Sequence, residues 1–136
     1  MKTVKGSCLC GKVTYQVEND FQKFHLCHCT QCQKTTGSAH ASNLFIRANQ
    51  FSWLTGQTEL QRYDVPGRAI SQAFCTTCGC GMPYLSKSGS GMMVIPAGSL
   101  DQIPEISPSS HIFWHERASW YDEALGANTS EDFPSG

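Results

Sequence analysis

The feature that most constrains this chain is the distribution of its eight cysteines. The stretch FHLCHCTQCQK, from Phe24 to Lys34, contains Cys27, Cys29 and Cys32 in a C-x-C-x2-C pattern. Three thiolates at this spacing can bind one metal ion from the end of a strand and the turn that follows it. A structural zinc usually has four protein ligands, whereas a catalytic zinc keeps one position open. The pattern therefore predicts a metal site and leaves open whether a fourth ligand completes it.

Two further cysteine groups lie on either side of this cluster. Cys8 and Cys10 form a C-x-C pair near the start, and Cys75, Cys78 and Cys80 form a C-x2-C-G-C group. Cys8 and Cys10 together with Cys75 and Cys78 would supply four thiolates, which suits a closed tetrahedral structural zinc. Such a site couples metal binding to folding, because both parts of the chain must be in place. Eight thiols allow several partitions, so spacing alone does not decide the pairing.

Length, charge and composition exclude several functional classes. A chain of 136 residues predicts one domain, with a zinc-binding β domain over 1–123 and a small, polar, mobile tail over 124–136. The net charge is −1 and no basic patch is present, so we expect no nucleic-acid partner and no binding to an anionic membrane. No apolar run approaches the ~20 residues of a membrane span.

The cysteine content also bears on location. The first residues, MKTVKGSCLCGKV, lack the apolar segment of a signal peptide, which predicts a cytoplasmic protein. Reducing conditions there favour metal binding over disulfides. A secreted disulfide scaffold is the weaker alternative, because a disulfide within a C-x-C pair would close a small, strained ring.

Short alternating segments separated by Gly and Pro predict an all-β fold, built from antiparallel hairpins that zinc sites hold together. No stretch shows a sustained helical period. We expect one short helical turn over 30–37 that ends at Gly37, an apolar loop over 51–56 that packs on the sheet, and an extended loop over 103–110. The predicted strands are 3–7, 12–17, 24–29, 39–46, 60–65, 69–74, 82–85, 92–96 and 111–114.

The combined motifs are more specific than any single C-x2-C. The stretches GSCLCGKVTYQV, CHCTQCQKTTGSAH, FCTTCGCGMPY, AGSLD and HIFWHERASW, in this order, resemble the glutathione-dependent formaldehyde-activating enzyme family. They extend from Gly6 to about Trp120. The resemblance implies a β-tent fold and two Zn²⁺ ions per chain. It places a structural zinc on Cys8, Cys10, Cys75 and Cys78, and a second zinc, at the substrate site, on Cys27, Cys29 and Cys32.

The same resemblance implies an activity and a partner. The family's founding reaction condenses formaldehyde with glutathione to S-(hydroxymethyl)glutathione, which is a carbon–sulfur lyase reaction run in reverse. We therefore expect a small-molecule thiol such as glutathione as the partner, while the oligomeric state stays open. The alternative from another class is a non-catalytic zinc- or thiol-binding module of the same fold. A redox or metal-storage protein is a third hypothesis, which would need labile zinc and a reactive Cys80.

Several single residues have competing interpretations. Cys80 is a candidate fourth ligand of the second zinc, which would close that site, and a small buried hydrophobic residue is the competing interpretation. His28 should point to the strand face opposite the neighbouring cysteines, as a core or hydrogen-bonding histidine. His40 is a candidate for lining the pocket, with a surface or core position as the default. Lys34 and Arg47 are candidate cations for the carboxylates of glutathione, with a solvated surface position as the default for each.

Overall fold

The computed structural model describes residues 2–134, and within this range the chain forms eleven strands and two short α-helices. The helices are Thr30–Thr36 (α1) and Tyr121–Leu125 (α2). The strands are Thr3–Ser7 (β1), Thr14–Glu18 (β2), Lys23–Cys27 (β3), Ala41–Arg47 (β4), Phe51–Thr55 (β5), Leu60–Asp64 (β6), Ser71–Cys75 (β7), Gly81–Met82 (β8), Tyr84–Leu85 (β9), Met92–Pro96 (β10) and Ser110–Ile112 (β11). The predicted all-β class is confirmed.

The strands of residues 2–134 form three sheets. A five-stranded sheet has the order β11-β3-β4-β10-β9, and two three-stranded sheets have the orders β1-β2-β5 and β6-β7-β8. Tyr15 and Val17 of β2 are buried while their neighbours are partly exposed, as strand alternation requires. Full burial of each large apolar side chain contributes about 1.5–3 kcal/mol. The main core consists of Val4, Cys8, Val13, Tyr15, Val17, Phe24, Leu44, Ile46, Cys75, Met82, Met93 and Ile95.

The short helical turn after the central cysteines is confirmed as α1. Cys29 is its N-cap, and the Cys29 sulfur accepts a hydrogen bond from the amide of Cys32 at 3.3 Å. Gly37 ends the helix with φ of 63°, a left-handed conformation that glycine adopts without steric cost. Cys29 is thus both the N-cap of α1 and a candidate metal ligand, so the start of the helix and the metal site depend on the same side chain.

Two predictions about the strands were wrong. Segment 51–56 was expected to be a loop, but Phe51–Thr55 is strand β5, because Phe51 and Trp53 pack against the Tyr15 ring. Segment 82–85 is not one strand. Pro83, which has no amide hydrogen to donate, lies between β8, which pairs with β7, and β9, which pairs with β10.

The last strand departs from the expected antiparallel hairpins. β11 pairs with β3 in parallel, with His111 opposite Leu26. Parallel neighbours need a long crossover connection, and the extended segment 100–109 supplies it by carrying the chain from β10 to the far edge of the five-stranded sheet. This crossover brings the C-terminal segment against the central cysteines.

The expected division into a domain over 1–123 and a tail over 124–136 stays a prediction. Helix α2 extends across its boundary to Leu125. Residues 1, 135 and 136 lie outside the described part. None of the helices in residues 2–134 is long and apolar enough to cross a membrane.

Candidate metal centres and the adjoining clefts

Four cysteines from two distant parts of the chain converge at the edge of the main core. Cys8 and Cys10 lie in the turn after β1, Cys75 ends β7, and Cys78 lies in the turn that follows. The four sulfur atoms all lie within 4.8 Å of one another, with 3.6 Å between Cys8 and Cys10 and 3.8 Å between Cys10 and Cys75. A tetrahedral zinc with Zn–S bonds of 2.3 Å has sulfur–sulfur edges of about 3.8 Å. The donor set therefore fits a metal ion.

Backbone amides around this group favour thiolates, the form in which cysteine binds metal. Hydrogen bonds from the amides of Cys80 and Cys10 lower the pKa of the Cys78 thiol to about 6. The Val13 amide donates to the Cys8 sulfur at 3.3 Å. Although burial acts to raise the pKa of Cys8, this hydrogen bond and the neighbouring sulfurs lower it overall. Cys8 and Cys78 are thus biased towards the thiolate form. For Cys10, the hydrogen bond from the Lys12 amide acts to lower the pKa, but burial and the neighbouring sulfurs raise it to about 11.

The central group contains three cysteines, and all three are buried. Cys27 ends β3, Cys29 caps α1 and Cys32 lies in the first turn of that helix. Their sulfur atoms lie within 4.8 Å of one another. A hydrogen bond from the Cys32 thiol lowers the pKa of Cys27 to about 6, and the same contact raises the pKa of Cys32. The donor set fits a metal ion held by three sulfur atoms.

The C-terminal segment supports the turn that carries these ligands. Gln33 donates from Nε2 to the carbonyl of His28 at 2.9 Å and to the carbonyl of Glu116 at 3.1 Å. The Glu116 carboxylate accepts a hydrogen bond from the amide of Thr30 at 3.1 Å. The amide of His28 donates to the carbonyl of Ile112 at 3.0 Å. Bonds of this kind orient the ligands of a metal site.

The ring of His28 is fully buried and faces away from the sulfur atoms. Its Nε2 lies 2.8 Å from Nδ1 of His111, and it packs against the rings of His40, Trp114 and Tyr121 at about 5 Å. Burial lowers the pKa of His28, which keeps the ring neutral. His28 is therefore a core histidine, as expected, and His40 belongs to the same cluster rather than to a pocket.

Two adjoining clefts open beside the central cysteines. The first, called here the sulfur cleft, has a volume of about 300 Å³ and includes all three cysteines in its wall. The second, called the polar cleft, has a volume of about 350 Å³. The clefts share Cys32, Asn43, Ile70 and Tyr84. Because they share this wall, two small molecules could meet beside Cys32.

The two clefts differ in chemistry. The sulfur cleft is lined by His25, Cys27, Cys29, Cys32, Asn43, Phe45, Arg68, Ala69, Ile70, Tyr84, Ser86, Ser88, Val94, Ile112 and Phe113. The polar cleft is lined by Cys32, Thr35, Thr36, Ala41, Ser42, Asn43, Ile70, Ser71, Gln72, Ala73, Gly79, Cys80, Gly81, Tyr84, Pro96, Gly98 and Ser99. The second set supplies neutral hydroxyl and amide groups and contains no charged side chain.

Cys80 lies in the wall of the polar cleft and joins neither sulfur group among residues 2–134. Its sulfur lies 3.6 Å from the carbonyl oxygen of Gly81. Burial raises the pKa of Cys80, which favours the thiol over the thiolate that a metal ligand requires. A role as fourth ligand stays a prediction that this position does not favour.

The cations named from the sequence do not reach either cleft. Lys34 and Arg47 are exposed and line neither of them. Arg68, which the sequence reasoning missed, lines the sulfur cleft together with the three cysteines. The turn signal Pro66-Gly67 located its loop, but only the packing of that loop against β3 and α1 shows where the side chain lies.

Known proteins are similar to this chain in fold and, through a family model, in sequence. A search of curated proteins finds no match. A crystal structure of a Rhodobacter sphaeroides protein, a Northeast Structural Genomics target, is similar with a TM-score of 0.63. The similarity covers 79% of this chain and 98% of that one at 23% sequence identity, so it supports the fold alone.

The family comparison is more specific. The model of the glutathione-dependent formaldehyde-activating enzyme family matches residues 3–116, a range that contains both cysteine groups and the loop with Arg68. This chain therefore belongs to the glutathione-dependent formaldehyde-activating enzyme family.

Proposed function

We propose that this protein is a zinc-dependent carbon–sulfur lyase that acts on adducts of glutathione, or of a related thiol, with formaldehyde. The observation that carries the proposal is the central group of Cys27, Cys29 and Cys32 in the wall of the sulfur cleft. Among residues 2–134, no fourth Cys, His, Asp or Glu joins this group. Three protein ligands and an open position are typical of catalytic zinc sites.

Cys27, Cys29 and Cys32 would hold a zinc ion, which would supply a position where a thiol sulfur is kept as thiolate at neutral pH. The chain itself orients the reactants. Ile70 and Ile112 pack against the cysteines and give the sulfur cleft apolar walls. Bringing two bound reactants into contact accelerates a reaction by removing the cost of their encounter, and formaldehyde is already a strong electrophile.

The condensation is balanced without a further reactant. A bond forms between the thiol sulfur and the formaldehyde carbon, the carbonyl π bond breaks, and the thiol proton ends on the new hydroxyl group. The polar cleft offers neutral groups for the oxygen of the aldehyde. Tyr84 lies where the two clefts meet, and burial raises its pKa to about 12. The Tyr84 hydroxyl therefore keeps its proton at neutral pH and can donate a hydrogen bond.

The test compares the parent with Cys80→Ser and Cys32→Ser. We expect one zinc in each of the two sulfur groups of the parent and of Cys80→Ser, measured by elemental analysis, and loss of the central zinc from Cys32→Ser. Calorimetry should show glutathione binding to the first two proteins only. Magnetisation-exchange NMR with isotopically labelled formaldehyde should show that the parent accelerates adduct formation above the spontaneous rate.

Two outcomes would contradict the proposal. If Cys80→Ser loses a zinc and the parent does not bind glutathione, Cys80 closes the central site. If the parent binds glutathione without accelerating the exchange, the protein is a non-catalytic thiol-binding module. The four-cysteine group serves as the internal control, because its zinc should be retained in both variants.

A further inference from the structure

We propose that Arg68 binds a carboxylate of the thiol substrate and makes the sulfur cleft selective for thiols that carry a carboxylate several bonds from the sulfur. This inference rests on the proposed function, because it concerns the substrate of the same site. The supporting observations are the fixed loop that carries Arg68, its position and its charge environment.

The loop over 65–70 is held at its base. Asp64 accepts hydrogen bonds from Nε of Arg62 at 2.9 Å and from the hydroxyl of Ser71, which joins the last residue of β6 to the first residue of β7. The amide of Val65 donates to the carbonyl of Ile70 at 3.0 Å. These bonds hold the base of the loop at the end of a hairpin, and Arg68, which is exposed, lines the sulfur cleft from this loop.

Arg68 is placed near the central cysteines by its neighbour Ile70, although it is far from them along the chain. Ile70 packs directly against the cysteine group, and Arg68 lies two residues before it and lines the same cleft. An extended chain advances about 3.3 Å per residue, so the Cα atoms of Arg68 and Ile70 are at most about 7 Å apart. A thiol whose sulfur lies at the cysteines can direct a carboxylate several bonds away towards Arg68 within the same cleft. In glutathione both carboxylates are that far from the sulfur atom.

The charges around the two clefts leave Arg68 as the available anchor. Among residues 2–134, it is the only Lys, Arg, Asp or Glu that lines either cleft. Its guanidinium makes no ion pair or hydrogen bond within that range, whereas neighbouring Arg62 is paired with Asp64. The negative charge of Glu116 acts to raise the pKa of Cys27. The Glu116 carboxylate already accepts a hydrogen bond from the amide of Thr30.

The guanidinium group suits this task better than an ammonium group. It presents a planar fork of donors that matches a carboxylate with two parallel hydrogen bonds. Glutathione at neutral pH has two carboxylates and one ammonium group, so its net charge is negative. A cleft that is lined by Arg68 and by no Asp or Glu favours a thiol that carries a carboxylate over a thiol of similar size without one.

The experiment uses the zinc-loaded full chain and measures binding by calorimetry, which does not depend on turnover. The ligands are glutathione and its diethyl ester, in which both carboxylates are blocked. The variants are Arg68→Met, Arg68→Lys and the control Arg47→Met, since Arg47 is exposed and lines neither cleft. Zinc content and circular dichroism verify that each variant is folded.

We expect Arg68→Met to bind glutathione about tenfold more weakly than the parent, which corresponds to one partly solvated charge-assisted pair. Binding of the diethyl ester should not change, and Arg68→Lys should be intermediate because it keeps the charge but loses the fork. Arg47→Met should behave as the parent. Raising the salt concentration should weaken glutathione binding to the parent and leave Arg68→Met nearly unaffected.

The outcomes separate this inference from the proposed function. If Arg68→Met binds glutathione as the parent does, or loses affinity for the ester equally, the inference is overturned and the lyase proposal stands. If glutathione binding depends on Arg68 but the parent does not accelerate adduct formation, the lyase proposal fails and the inference stands. If the parent binds neither ligand, both are overturned.

Discussion

Gly6 of β1 lies directly opposite Tyr15 of β2, and replacing it with alanine tests how tightly the N-terminal hairpin is packed. Tyr15 is fully buried, and its hydroxyl lies 2.6 Å from the hydroxyl of Ser99. Its ring stacks on Phe51 with centroids 5.2 Å apart and meets the edge of Trp53. The ring is therefore restrained on several sides and has little freedom to make room.

The geometry sets the size of the effect. A Cβ atom on Gly6 would lie 2.2 Å from Cζ and 2.3 Å from Oη of Tyr15, whereas ordinary contact begins at 3.4 Å. Either the ring or the strand must move by about 1 Å. Overpacking of this kind costs about 1–3 kcal/mol, and loss of the bond to Ser99 adds about 1 kcal/mol. We expect Gly6→Ala to lower the free energy of unfolding by about 2–4 kcal/mol.

The assay is urea unfolding followed by tryptophan fluorescence at a fixed excess of zinc, because bound metal itself stabilises the fold. Gly98→Ala is the matched control, since a Cβ there meets nothing within 4 Å and its φ is not positive. Gly6→Ala in a Tyr15→Leu background should cost less than in the parent, which identifies the ring as the cause. A Gly6→Ala variant within 0.5 kcal/mol of the parent would refute the reasoning, since that is about the spread of neutral surface changes.

Three further predictions concern the metal sites and the cleft. Cys78→Ser should lose one zinc and lower the unfolding temperature, while Cys80→Ser should do neither; equal behaviour of the two would contradict the assignment of the four-cysteine group. Gln33→Met should weaken zinc binding at the central group about tenfold, as measured by chelator competition, because it removes the bonds to His28 and Glu116; the exposed Gln22→Met is the control. Burial raises the pKa of Tyr84 from 10.0 to about 12, so the stability from its neutral hydroxyl is complete below pH 10 and is lost as the pH rises towards 12. As the pH rises from 10 towards 12, Tyr84→Phe should lose less stability than the parent, as measured by urea unfolding at each pH. Parallel pH profiles of the two proteins would disprove the raised pKa of Tyr84.

Much of the candidate site was predictable from spacing. Cys27, Cys29 and Cys32 are close in sequence, so a strand end and one helical turn bring their sulfurs together without help from the rest of the fold. The convergence of Cys8 and Cys10 with Cys75 and Cys78 was favoured by the resemblance to the family, because spacing alone allowed several partitions. The structure brings these four sulfurs within 4.8 Å of one another.

Other features depended on contacts between distant segments. Phe51 and Trp53 form a strand rather than a loop because Tyr15 offers an aromatic surface against which they pack. β11 pairs in parallel with β3 because the chain crosses the sheet after β10. Neither arrangement has a local signal, since alternation predicts a strand without naming its neighbour or its direction. The cytoplasmic location expected from the sequence stays a prediction.

The sequence by itself determined the all-β class, the central group of Cys27, Cys29 and Cys32, and the short helix that Gly37 ends, because strand alternation, ligand spacing and glycine turns are local properties of the chain. Only the tertiary structure decided that Arg68 and Tyr84 line the cleft with the central cysteines, that Cys80 lies apart from both sulfur groups, and that Gly6 must lack a side chain. These are distances between residues far apart in sequence, and packing rather than local preference determines them.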